Sequence, residues 1–539
     1  MKKVLFGLQL IFVTIYFLVT SSELVTYAEW EGKLSAKVLI HLQHPSEIVA
    51  VASPKYILLF FGTLIPLVVF ATILYKKTIH DRWKLESTKI KWFITLPLKL
   101  IIAGFLVVII RGGFAKFPIE LSSAYYSSNQ FLNDVSTNTL WSFLYSVNDG
   151  SAGLKGNPYT YLSEPDAKNL VLDLYQIEKD TTIFVINTPR PNIVLIILES
   201  WSADVIEALG GYKGITPNFD HLRKEGLLFT HFYSNGWTSD QAMASIYSSA
   251  VVFPNYNVVN NPKAFTPLPA FTDQLHTAGY NTSCFYGGQL IHGNIKGFLL
   301  NKGIQQIKEG ADFPYSFYKT GSMGIHDGDM LNLFIEETNQ LEPPFFTNWF
   351  TLSSHSPYDF PGSHTIDWGE KHEDYLNSIA YSDSCLGAYF SIAKQQDWYK
   401  NTLFMLVADH GHVSPINWEH GESGKSHIPF LLFGDGLKNE YKNRVNEKIG
   451  GNLDIASTLL HQLNLDASSF IYSKNLLNPY TNDFAPFAFH GGIGWKTNAG
   501  EYSYSTRLKE DVRITDPTKG TKEMARAYYQ IAFDYFYKP

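Results

Sequence analysis

The sequence predicts an α/β protein in which N-terminal transmembrane helices precede an extracytoplasmic domain with a mostly parallel central sheet flanked by helices. Three long apolar stretches, residues 4–20, 56–75 and 92–110, stand at the start of the chain. Further along, β-branched and apolar runs such as NIVLIIL and TLFMLVA are typical of strands buried on both faces. Such strands occur in parallel sheets that are covered by helices.

The composition limits the class of protein. A chain of 539 residues is long enough for one large domain and an additional region. Charged residues make up 17% and the net charge is -7, which argues against a nucleic-acid partner. Neither cysteine, Cys284 or Cys385, stands in a CxxC or metal-type spacing, so both are expected to be buried small residues. A disulfide between them stays open at this level.

The apolar stretches predict three membrane-spanning helices, because each approaches the roughly 20 residues that a span requires. Lys2 and Lys3 precede the first stretch as in a signal peptide, but no clean cleavage site follows, so an uncleaved anchor is expected. Residues 76–91 carry six basic side chains against two acidic ones, whereas acidic residues prevail in 21–54. The positive-inside rule therefore predicts a multi-pass membrane protein with residues 76–91 and the N-terminus in the cytoplasm and everything after Arg111 outside the membrane.

The rest of the chain divides into a linker, a catalytic domain and an extension. The linker contains helical stretches such as TLWSFLYSV. The extension ends in an aromatic amphipathic pattern over residues 524–537, which predicts a helix that packs on the catalytic domain or lies at the membrane interface. The predicted regions are 1–111 transmembrane, 112–188 juxtamembrane linker, 189–490 catalytic domain and 491–539 C-terminal extension.

Two predicted strands end in acidic or imidazole side chains. Glu199 follows the strand that begins at Pro191, and Asp409 and His410 follow the strand that begins at Asn401. In open α/β sheets, chemistry collects beyond the carboxyl ends of the strands, so these side chains are expected to converge. Two carboxylates and an imidazole suit Mn²⁺, Mg²⁺ or Zn²⁺.

Three further histidines are placed to join this site. His355 follows a third apolar run, FFTNWFTL, and His427 stands just before a fourth, IPFLLFG. His412 is expected to orient the metal ligands from the surrounding shell. One histidine after a strand is ordinarily a polar loop residue, but several strands with acids or imidazoles at the relevant end indicate a shared site.

The segment GWTSD places two hydroxyls, Thr238 and Ser239, before a helical pattern. A helix that begins near Ser239 would direct backbone N–H groups towards developing charge on a phosphate. A hydroxyl becomes an effective nucleophile when metal coordination lowers its pKa. Helix capping is the alternative role for both residues.

The stretch from about residue 191 to 487 resembles the alkaline phosphatase/sulfatase superfamily. Within that superfamily it resembles the lipoteichoic acid synthase type of membrane-anchored phosphoglycerol transferase. The matching segments come in the family's order, after an N-terminal membrane region. They include NIVLIILES, TPNFDHLRKEGLLFTHFY, GWTSD, TLSSHSPYDFP, YSDSCLGAYF, NTLFMLVADHGH and SHIPFLLFG.

The resemblance implies one divalent metal, commonly manganese in this family, held by Glu199, Asp409 and His410. The hydroxyl of the TSD element completes the coordination and attacks phosphorus. The threonine that the transferases prefer points to Thr238, whereas alignment with a subgroup that has an Arg-Thr-Asp triplet points to Ser239. Both assignments stay open.

The resemblance also implies substrate contacts. His355 is placed like the family's histidine for the substrate phosphate or glycerol, and His427 like a second active-site histidine. The family's Trp-x-Arg element is replaced by YGGQLIHGNIKGFLL, which lacks arginine, so His292 or Lys296 would contact the phosphate. The donor would be a phosphatidylglycerol-like membrane lipid, and the acceptor an envelope glycan or polymer. The family's membrane bundle usually has five spans against the three predicted here.

Three other functions compete with a phosphoglycerol transferase. A phosphoethanolamine transferase would use the same chemistry, but its ectodomain is usually cysteine-rich. A sulfatase needs a Cys or Ser followed by x-Pro-x-Arg, which neither cysteine supplies. A membrane-anchored binding protein with a relict site would lack ligands, and all the ligand types are present. Asp327 and Asp329 are expected to form a turn and helix cap rather than a metal site.

Overall fold

The computed structural model divides the chain into two compact units, Met1–Lys155 and Gly156–Pro539. The part of the predicted linker from residue 156 onwards belongs to the second unit. The structure describes residues 2–30, 33–34, 38–41, 54–82, 92–114, 117–127, 129–148, 156–254, 256–314, 318, 320–369, 371–518 and 520–537.

The first unit is helical, and helices form on all three apolar stretches that were predicted as spans. By length and composition, two segments of the described chain could cross a membrane, Lys3–Tyr27 and Pro54–His80. The three-span count and the orientation remain predictions, because residues 83–91 of the basic loop lie outside the described residues. The α-helices described in this unit are Lys2–Trp30, Val38–His41, Pro54–Tyr75, Trp92–Arg111, Gln130–Ser136 and Thr139–Asn148.

The described residues of the second unit form one large sheet and two smaller ones, joined by helices. The strands are β1 (Asn192–Leu198), β2 (Gly226–Phe229), β3 (Phe232–Tyr233), β4 (Asn281–Tyr286), β5 (Gln306–Glu309), β6 (Phe345–Phe350), β7 (Thr402–Ala408), β8 (Phe430–Phe433), β9 (Arg444–Asn446), β10 (Gly450–Gly451), β11 (Phe484–Phe489), β12 (Gly492–Thr497), β13 (Gly500–Ser505) and β14 (Glu510–Ile514). The α-helices are Glu164–Tyr175, Pro217–Leu222, Ser239–Ser248, Pro262–Phe265, Phe271–Thr277, Ile295–Asn301, Asp327–Thr338, Glu373–Ala393, Ile455–Gln462 and Gly520–Tyr537.

The large sheet has eight strands in the order β5-β4-β6-β1-β7-β8-β2-β9. β1 lies near its centre and pairs in parallel with β6 and β7. Every residue of these three strands is buried, so both faces of the sheet are covered. β8 runs antiparallel to β7 and β2, and the other pairings are parallel. The prediction of a mostly parallel sheet is confirmed.

The sheet brings the predicted site residues to one edge. Glu199 follows β1, Asp409 follows β7 and residues 351–355 follow β6, and these strands are parallel neighbours. His427 comes before β8 rather than after it. Because β8 is antiparallel, its beginning lies at the edge where the other strands end.

The C-terminal region packs on the second unit. The strands β11 to β14 form an antiparallel sheet, and the predicted boundary at residue 490 falls in the turn between β11 and β12. The predicted aromatic helix forms over Gly520–Tyr537. Tyr528 and Tyr529 of this helix are fully buried, and the Tyr529 hydroxyl donates to the Phe487 carbonyl at 2.7 Å. Of the two predicted placements, packing on the catalytic domain is the one that the structure adopts.

Both cysteines are buried, as predicted, and neither forms a disulfide. Cys284 lies within β4, where its sulfur accepts a hydrogen bond from the Asn348 amide at 3.3 Å. Cys385 lies within the helix Glu373–Ala393. Burial raises the pKa of each thiol to about 12, so both are unreactive at neutral pH.

Candidate metal and nucleophile site

Glu199, Asp409 and His410 form the centre of the candidate site. One ligand atom of each residue lies within 4.8 Å of the others. Glu199 is 1% exposed, Asp409 is fully buried, and His410 is half-buried. In the described part of the chain this is the one group of three acidic, histidine or cysteine residues that meets this geometry. The structure thus brings together the three residues that the strand ends pointed to.

The two carboxylate oxygens of Asp409 have different surroundings. Oδ1 accepts the backbone N–H groups of Ser200 and His410, both at 2.7 Å. Oδ2 is buried and accepts no hydrogen bond, although His410 Nε2 lies 3.4 Å away. A buried carboxylate oxygen without a donor is unfavourable, and a cation at this position would compensate it. The residues present therefore fit a divalent metal.

His410 directs Nε2 towards the same centre. Its Nδ1 lies 2.9 Å from the Gly411 carbonyl, so a proton on Nδ1 is donated there. This tautomer leaves a lone pair on Nε2, the nitrogen that faces Asp409 Oδ2. An imidazole whose second nitrogen is fixed by a carbonyl is the usual form of a metal-ligating histidine.

The charges at the centre favour a positive partner. Burial, followed by the charge of Glu199, raises the pKa of Asp409. Burial alone would lower the pKa of His410, but the charges of Asp409 and Glu199 raise it above its ordinary value. The two carboxylates therefore stabilise either an imidazolium or a bound cation between them.

Glu199 is held through its own backbone and its neighbour. Its N–H donates to the Thr351 hydroxyl at 2.9 Å, and its carbonyl accepts from the Ser354 hydroxyl at 2.6 Å. Ser200 has a φ of 59°, in the left-handed region, and donates its hydroxyl to Glu199 Oε1 at 2.7 Å. Because the Ser200 N–H also donates to Asp409, this uncommon conformation links both carboxylates.

The two predicted hydroxyls lie at the N-terminal end of the helix Ser239–Ser248. Ser239 Oγ donates to Glu199 Oε2 at 3.2 Å, which joins it to the acid–imidazole centre. Thr238 precedes the helix with an extended backbone, φ -137° and ψ 152°, and its hydroxyl makes no capping hydrogen bond. Ser239 therefore contacts the acid, and the Thr238 hydroxyl is not used in capping.

His355 lies on a loop that Asp327 holds in place. The Asp327 carboxylate accepts the N–H groups of Leu352 at 2.8 Å and Ser353 at 3.1 Å. Ser354, the next residue, binds the Glu199 carbonyl, and His355 follows it directly. Asp327 begins the helix Asp327–Thr338 and is 1% exposed. The cap position itself is His326, so Asp327 does not cap the helix as predicted; its carboxylate supports the loop that carries His355.

His412 is fixed by two tyrosines. Its ring stacks on Tyr375 with the centroids 4.2 Å apart, and its Nε2 lies 2.9 Å from the Tyr358 hydroxyl. Its Nδ1 lies 2.8 Å from the Val413 carbonyl. The Tyr375 hydroxyl in turn donates to the Ser200 carbonyl at 2.7 Å. His412 thus contacts Tyr375, which in turn binds the turn that carries Glu199. This placement agrees with the expectation that His412 orients the metal ligands.

His427 lies at the correct edge but binds a backbone carbonyl. Its Nε2 is 2.8 Å from the Thr230 carbonyl, and its ring stacks on Tyr233 with the centroids 5.2 Å apart. Burial lowers its pKa to about 4, so it is neutral at physiological pH. His427 therefore links the beginning of β8 to the end of β2, and it does not contact the carboxylates of Glu199 and Asp409.

The two candidate phosphate contacts, Lys296 and His292, have different surroundings. Lys296 forms an ion pair with Glu309, so its charge is already balanced. His292 is exposed and lies in the turn before the helix Ile295–Asn301. Gly293 in this turn has a φ of 62°, and a Cβ there would come 3.0 Å from the Asp240 Cβ. The His292 turn therefore lies against the first turn of the helix that Ser239 begins.

Sequence reasoning missed several supporting residues of this site. Ser354 had a local signal, since TLSSH places two serines directly before His355. Ser200 follows Glu199, but its left-handed backbone could not be read from a serine. Tyr375 lies within the long helix Glu373–Ala393, and no local pattern separates it from an ordinary core residue.

The fold and the site together define an α/β domain of the alkaline phosphatase/sulfatase type. The Sulfatase family model matches residues 191–465, a little over half of the chain. The chain therefore belongs to the sulfatase family.

Among curated proteins the chain is similar to lipoteichoic acid synthases. It is 22% identical to lipoteichoic acid synthase 1 of Bacillus subtilis over 380 residues, which cover 64% of this chain and 57% of that protein. It is 25% identical to a lipoteichoic acid synthase-like protein of the same organism over 368 residues, which cover 62% of this chain and 57% of that one. The match thus spans less than two thirds of the length of these relatives.

Two crystal structures show the same fold. A protein of the alkaline phosphatase superfamily from Vibrio parahaemolyticus has a TM-score of 0.61 and 25% identity, and the match covers 70% of this chain and 97% of that chain. The lipoteichoic acid synthase LtaP from Listeria monocytogenes has a TM-score of 0.56 and 17% identity, with coverage of 70% and 98%. The fold assignment from sequence is confirmed.

Proposed function

We propose that the protein is a membrane-anchored phosphotransferase. It would move glycerol phosphate from a phosphatidylglycerol-like lipid to a hydroxyl of an envelope glycan or polymer. The observation that carries the proposal is the Ser239 hydroxyl on Glu199, beside the donor-free Asp409 Oδ2, at the start of a helix. The similarity to lipoteichoic acid synthases supports the choice of headgroup and acceptor.

The metal expected at this site is Mn²⁺, with Mg²⁺ or Zn²⁺ as alternatives. Glu199, Asp409 and His410 would hold it, together with the hydroxyl of Thr238 or Ser239. When bound, the metal supplies a Lewis acid that lowers the pKa of the attacking hydroxyl.

The reaction would proceed through a covalent intermediate. In the first step the oxygen of Thr238 or Ser239 forms a bond to phosphorus as the bond from phosphorus to the diacylglycerol oxygen breaks. The proton of the hydroxyl is transferred to the departing diacylglycerol oxygen. In the second step the acceptor oxygen replaces the enzyme oxygen, which recovers a proton from the acceptor hydroxyl.

Other residues would bind and orient the phosphate. The first N–H groups of the helix Ser239–Ser248 point along its axis and favour negative charge on the transferred group. His355 follows Ser354, which binds the Glu199 carbonyl, and the turn of His292 lies against Asp240, so both histidines are proposed as substrate contacts. His412 would position the Glu199 turn through Tyr375.

A sulfatase activity is disfavoured by the cysteines. Formylglycine forms on a cysteine or serine of a specific motif, and neither cysteine stands in it. Cys284 lies within β4 and Cys385 within the helix Glu373–Ala393, both buried. The hydroxyls at the start of the helix Ser239–Ser248 are proposed as the nucleophile instead.

The proposed location is a bacterial cell membrane with the second unit outside. The two segments that could span a membrane support an anchor, and the charge of residues 76–91 supports the orientation. The donor would then reach the site from the outer leaflet.

Intact mass spectrometry with peptide mapping tests the proposal. Full-length protein with Mn²⁺ is incubated with phosphatidylglycerol, and a glycerol-phosphate adduct is expected on the peptide that contains the GWTSD segment. The double variant Thr238→Ala/Ser239→Ala loses the adduct, and the single variants assign it. Ser234→Ala, on the same peptide, is the matched control that keeps it.

Two outcomes would change the assignment. An adduct with phosphatidylethanolamine but none with phosphatidylglycerol would make the protein a phosphoethanolamine transferase. An adduct that persists in the double variant, or a protein that binds no metal and forms no adduct, would overturn the mechanism.

A further inference from the structure

We propose that an aromatic patch near the metal centre inserts into the interfacial region of a lipid bilayer. The patch consists of Ile416, Trp418, Trp368 and Tyr212. Its role in presenting a lipid donor rests on the proposed function, whereas insertion itself is argued from exposure, hydrogen bonds and residue type.

The patch exposes large apolar side chains to solvent. Ile416 and Trp418 are each 39% exposed, and Trp368 is 44% exposed. The rings of Trp368 and Tyr212 have their centroids 5.4 Å apart. Single exposed apolar residues are common, but a cluster with two tryptophans indicates a binding surface.

One buried carboxylate holds the patch together. The Trp418 indole N–H lies 3.1 and 3.0 Å from the two oxygens of Asp204, and the Ser414 hydroxyl donates to Asp204 Oδ2 at 2.5 Å. The Tyr212 N–H donates to the Asp204 carbonyl at 2.7 Å. Asp204 is 4% exposed. It therefore binds the polar end of Trp418, whose indole packs on Gly424 and stays 39% exposed.

The loop that carries Ile416 is anchored on both sides. Ser414 is fixed by Asp204 on one side, and Glu422 forms an ion pair with Arg513 at 2.8 Å on the other. Asn417 has a φ of 54°, which makes a tight turn between Ile416 and Trp418. The loop that exposes Ile416 and Trp418 is thus held in place at both ends.

The patch is close in sequence to the metal ligands and is connected to them through Tyr375. Ile416 comes six residues after His410, a distance of at most about 20 Å along an extended chain. Tyr375 stacks on His412 and lies 3.4 Å from the N–H of Ser202, two residues before Asp204. Under the proposed function, a lipid with its phosphate at the metal centre would place its glycerol and upper acyl region on the patch.

The residue types favour a bilayer interface over a protein partner. Tryptophan and tyrosine are enriched at the level of the lipid headgroups, where a polar end and an apolar face are both satisfied. The chain itself carries two segments long and apolar enough to cross a membrane, which supports a bilayer as the partner. We therefore assign the patch to the bilayer of the protein's own membrane.

Site-specific fluorescence tests the insertion. A cysteine-reactive NBD label is placed by Ile416→Cys in the full-length protein, reconstituted in nanodiscs that contain phosphatidylglycerol. Cys284 and Cys385 stay unlabelled because both are buried and their pKa values are raised to about 12. Val445→Cys is the matched control, since Val445 is 55% exposed on β9 and lies outside the patch.

Lipids with a spin label near the headgroup should quench the label at position 416 several-fold more strongly than the label at 445. Equal quenching at the two positions would overturn the proposal. A blue-shifted emission at 416 without quenching would also overturn it, because it would show contact with protein instead of lipid.

Turnover separates this inference from the proposed function. The double variant Ile416→Ser/Trp368→Ser should lose about tenfold in kcat/KM, or ~1.4 kcal/mol, with phosphatidylglycerol in vesicles, and less with a short-chain, water-soluble donor. Equal losses with both donors would contradict a role in lipid presentation. If the wild type turned over neither donor, the proposed function would fail, while the quenching result would still decide whether the patch inserts.

Discussion

Replacing Asp409 with asparagine tests whether the acid–imidazole centre is built for a cation. Without metal, Asp409 Oδ2 has no donor, and a Glu199 oxygen lies within 4.8 Å of its carboxylate. Asparagine keeps the oxygen that accepts from Ser200 and His410 and puts an NH₂ group where Oδ2 stands. We expect Asp409→Asn to stabilise the metal-free protein and to weaken its metal binding.

The geometry sets the magnitude. Two like charges at most 4.8 Å apart repel by at least about 3 kcal/mol at an effective dielectric constant of about 20. His410 offsets part of this repulsion. The new NH₂ group can donate to His410 Nε2, which lies 3.4 Å from the position of Oδ2, and this hydrogen bond is worth about 1 kcal/mol. The free energy of unfolding in EDTA should therefore rise by about 1–3 kcal/mol. Loss of an anionic ligand should weaken Mn²⁺ binding at least about 100-fold, or ~2.7 kcal/mol.

The gain should depend on pH with a defined sign. Burial and Glu199 raise the pKa of Asp409, so its ionised form is the one that destabilises the metal-free fold. The difference between Asp409→Asn and wild type should be larger at pH 8 than at pH 5, where folded wild type is protonated at this site.

Thermal unfolding of the full-length protein in detergent, in EDTA and with added Mn²⁺, measures both effects. Asp204→Asn is the matched control, because Asp204 is also buried but its oxygens have donors from Ser414 and Trp418. This control should lose stability and keep the Mn²⁺-induced rise in Tm. The reasoning is refuted if metal-free Asp409→Asn is less stable than wild type while the Mn²⁺-induced rise remains intact.

Three further predictions follow from single contacts. In Asp327→Asn, one of the two N–H groups of Leu352 and Ser353 loses its acceptor, which loosens the loop that carries His355. We therefore expect kcat to fall about tenfold while the Mn²⁺-induced rise in Tm is unchanged. His427 has a pKa lowered to about 4 by burial, so wild type should lose up to about 3 kcal/mol between pH 6.5 and 4, and His427→Gln should flatten this loss. Tyr529→Phe removes a buried hydrogen bond to Phe487 and should lower the free energy of unfolding by about 1–2 kcal/mol in urea titrations.

Each of these predictions has a control on a comparable residue. Asp329→Asn, in the same first helical turn as Asp327, should leave kcat unchanged, and an equal fall in both variants would remove the positioning role. His276→Gln should keep the acid loss of wild type, since His276 is exposed. Tyr535→Phe, 48% exposed on the C-terminal helix, should be neutral, so equal effects at Tyr529 would contradict the buried bond.

The sequence could predict the parts of the site that depend on strand identity. Apolar runs defined β1 and β7, and parallel strands that end in Glu199 and Asp409 must meet at one edge. The direction of β8 could not be predicted, because nothing in IPFLLFG distinguishes an antiparallel strand from a parallel one. Without that direction the partner of His427 could not be foreseen, because the Thr230 carbonyl reaches it from the end of β2.

Contacts made by backbone conformation were also beyond the sequence. The left-handed Ser200 could not be read from its neighbours, because serine adopts this region rarely. The choice between Thr238 and Ser239 depended on which side chain a helix start turns towards Glu199. That direction follows from how the helix docks on the sheet, which is a tertiary property.

The hydrogen bonds that hold the carboxylates of Asp409 and Glu199 explain why the repulsion between them persists in the folded protein. Asp409 Oδ1 accepts two backbone N–H groups, and the Glu199 carboxylate accepts the Ser200 hydroxyl at Oε1 and the Ser239 hydroxyl at Oε2. Neither carboxylate can turn away without breaking these bonds. The repulsion is therefore relieved by a proton or a cation rather than by movement, and the free energy stored in the metal-free fold becomes metal affinity.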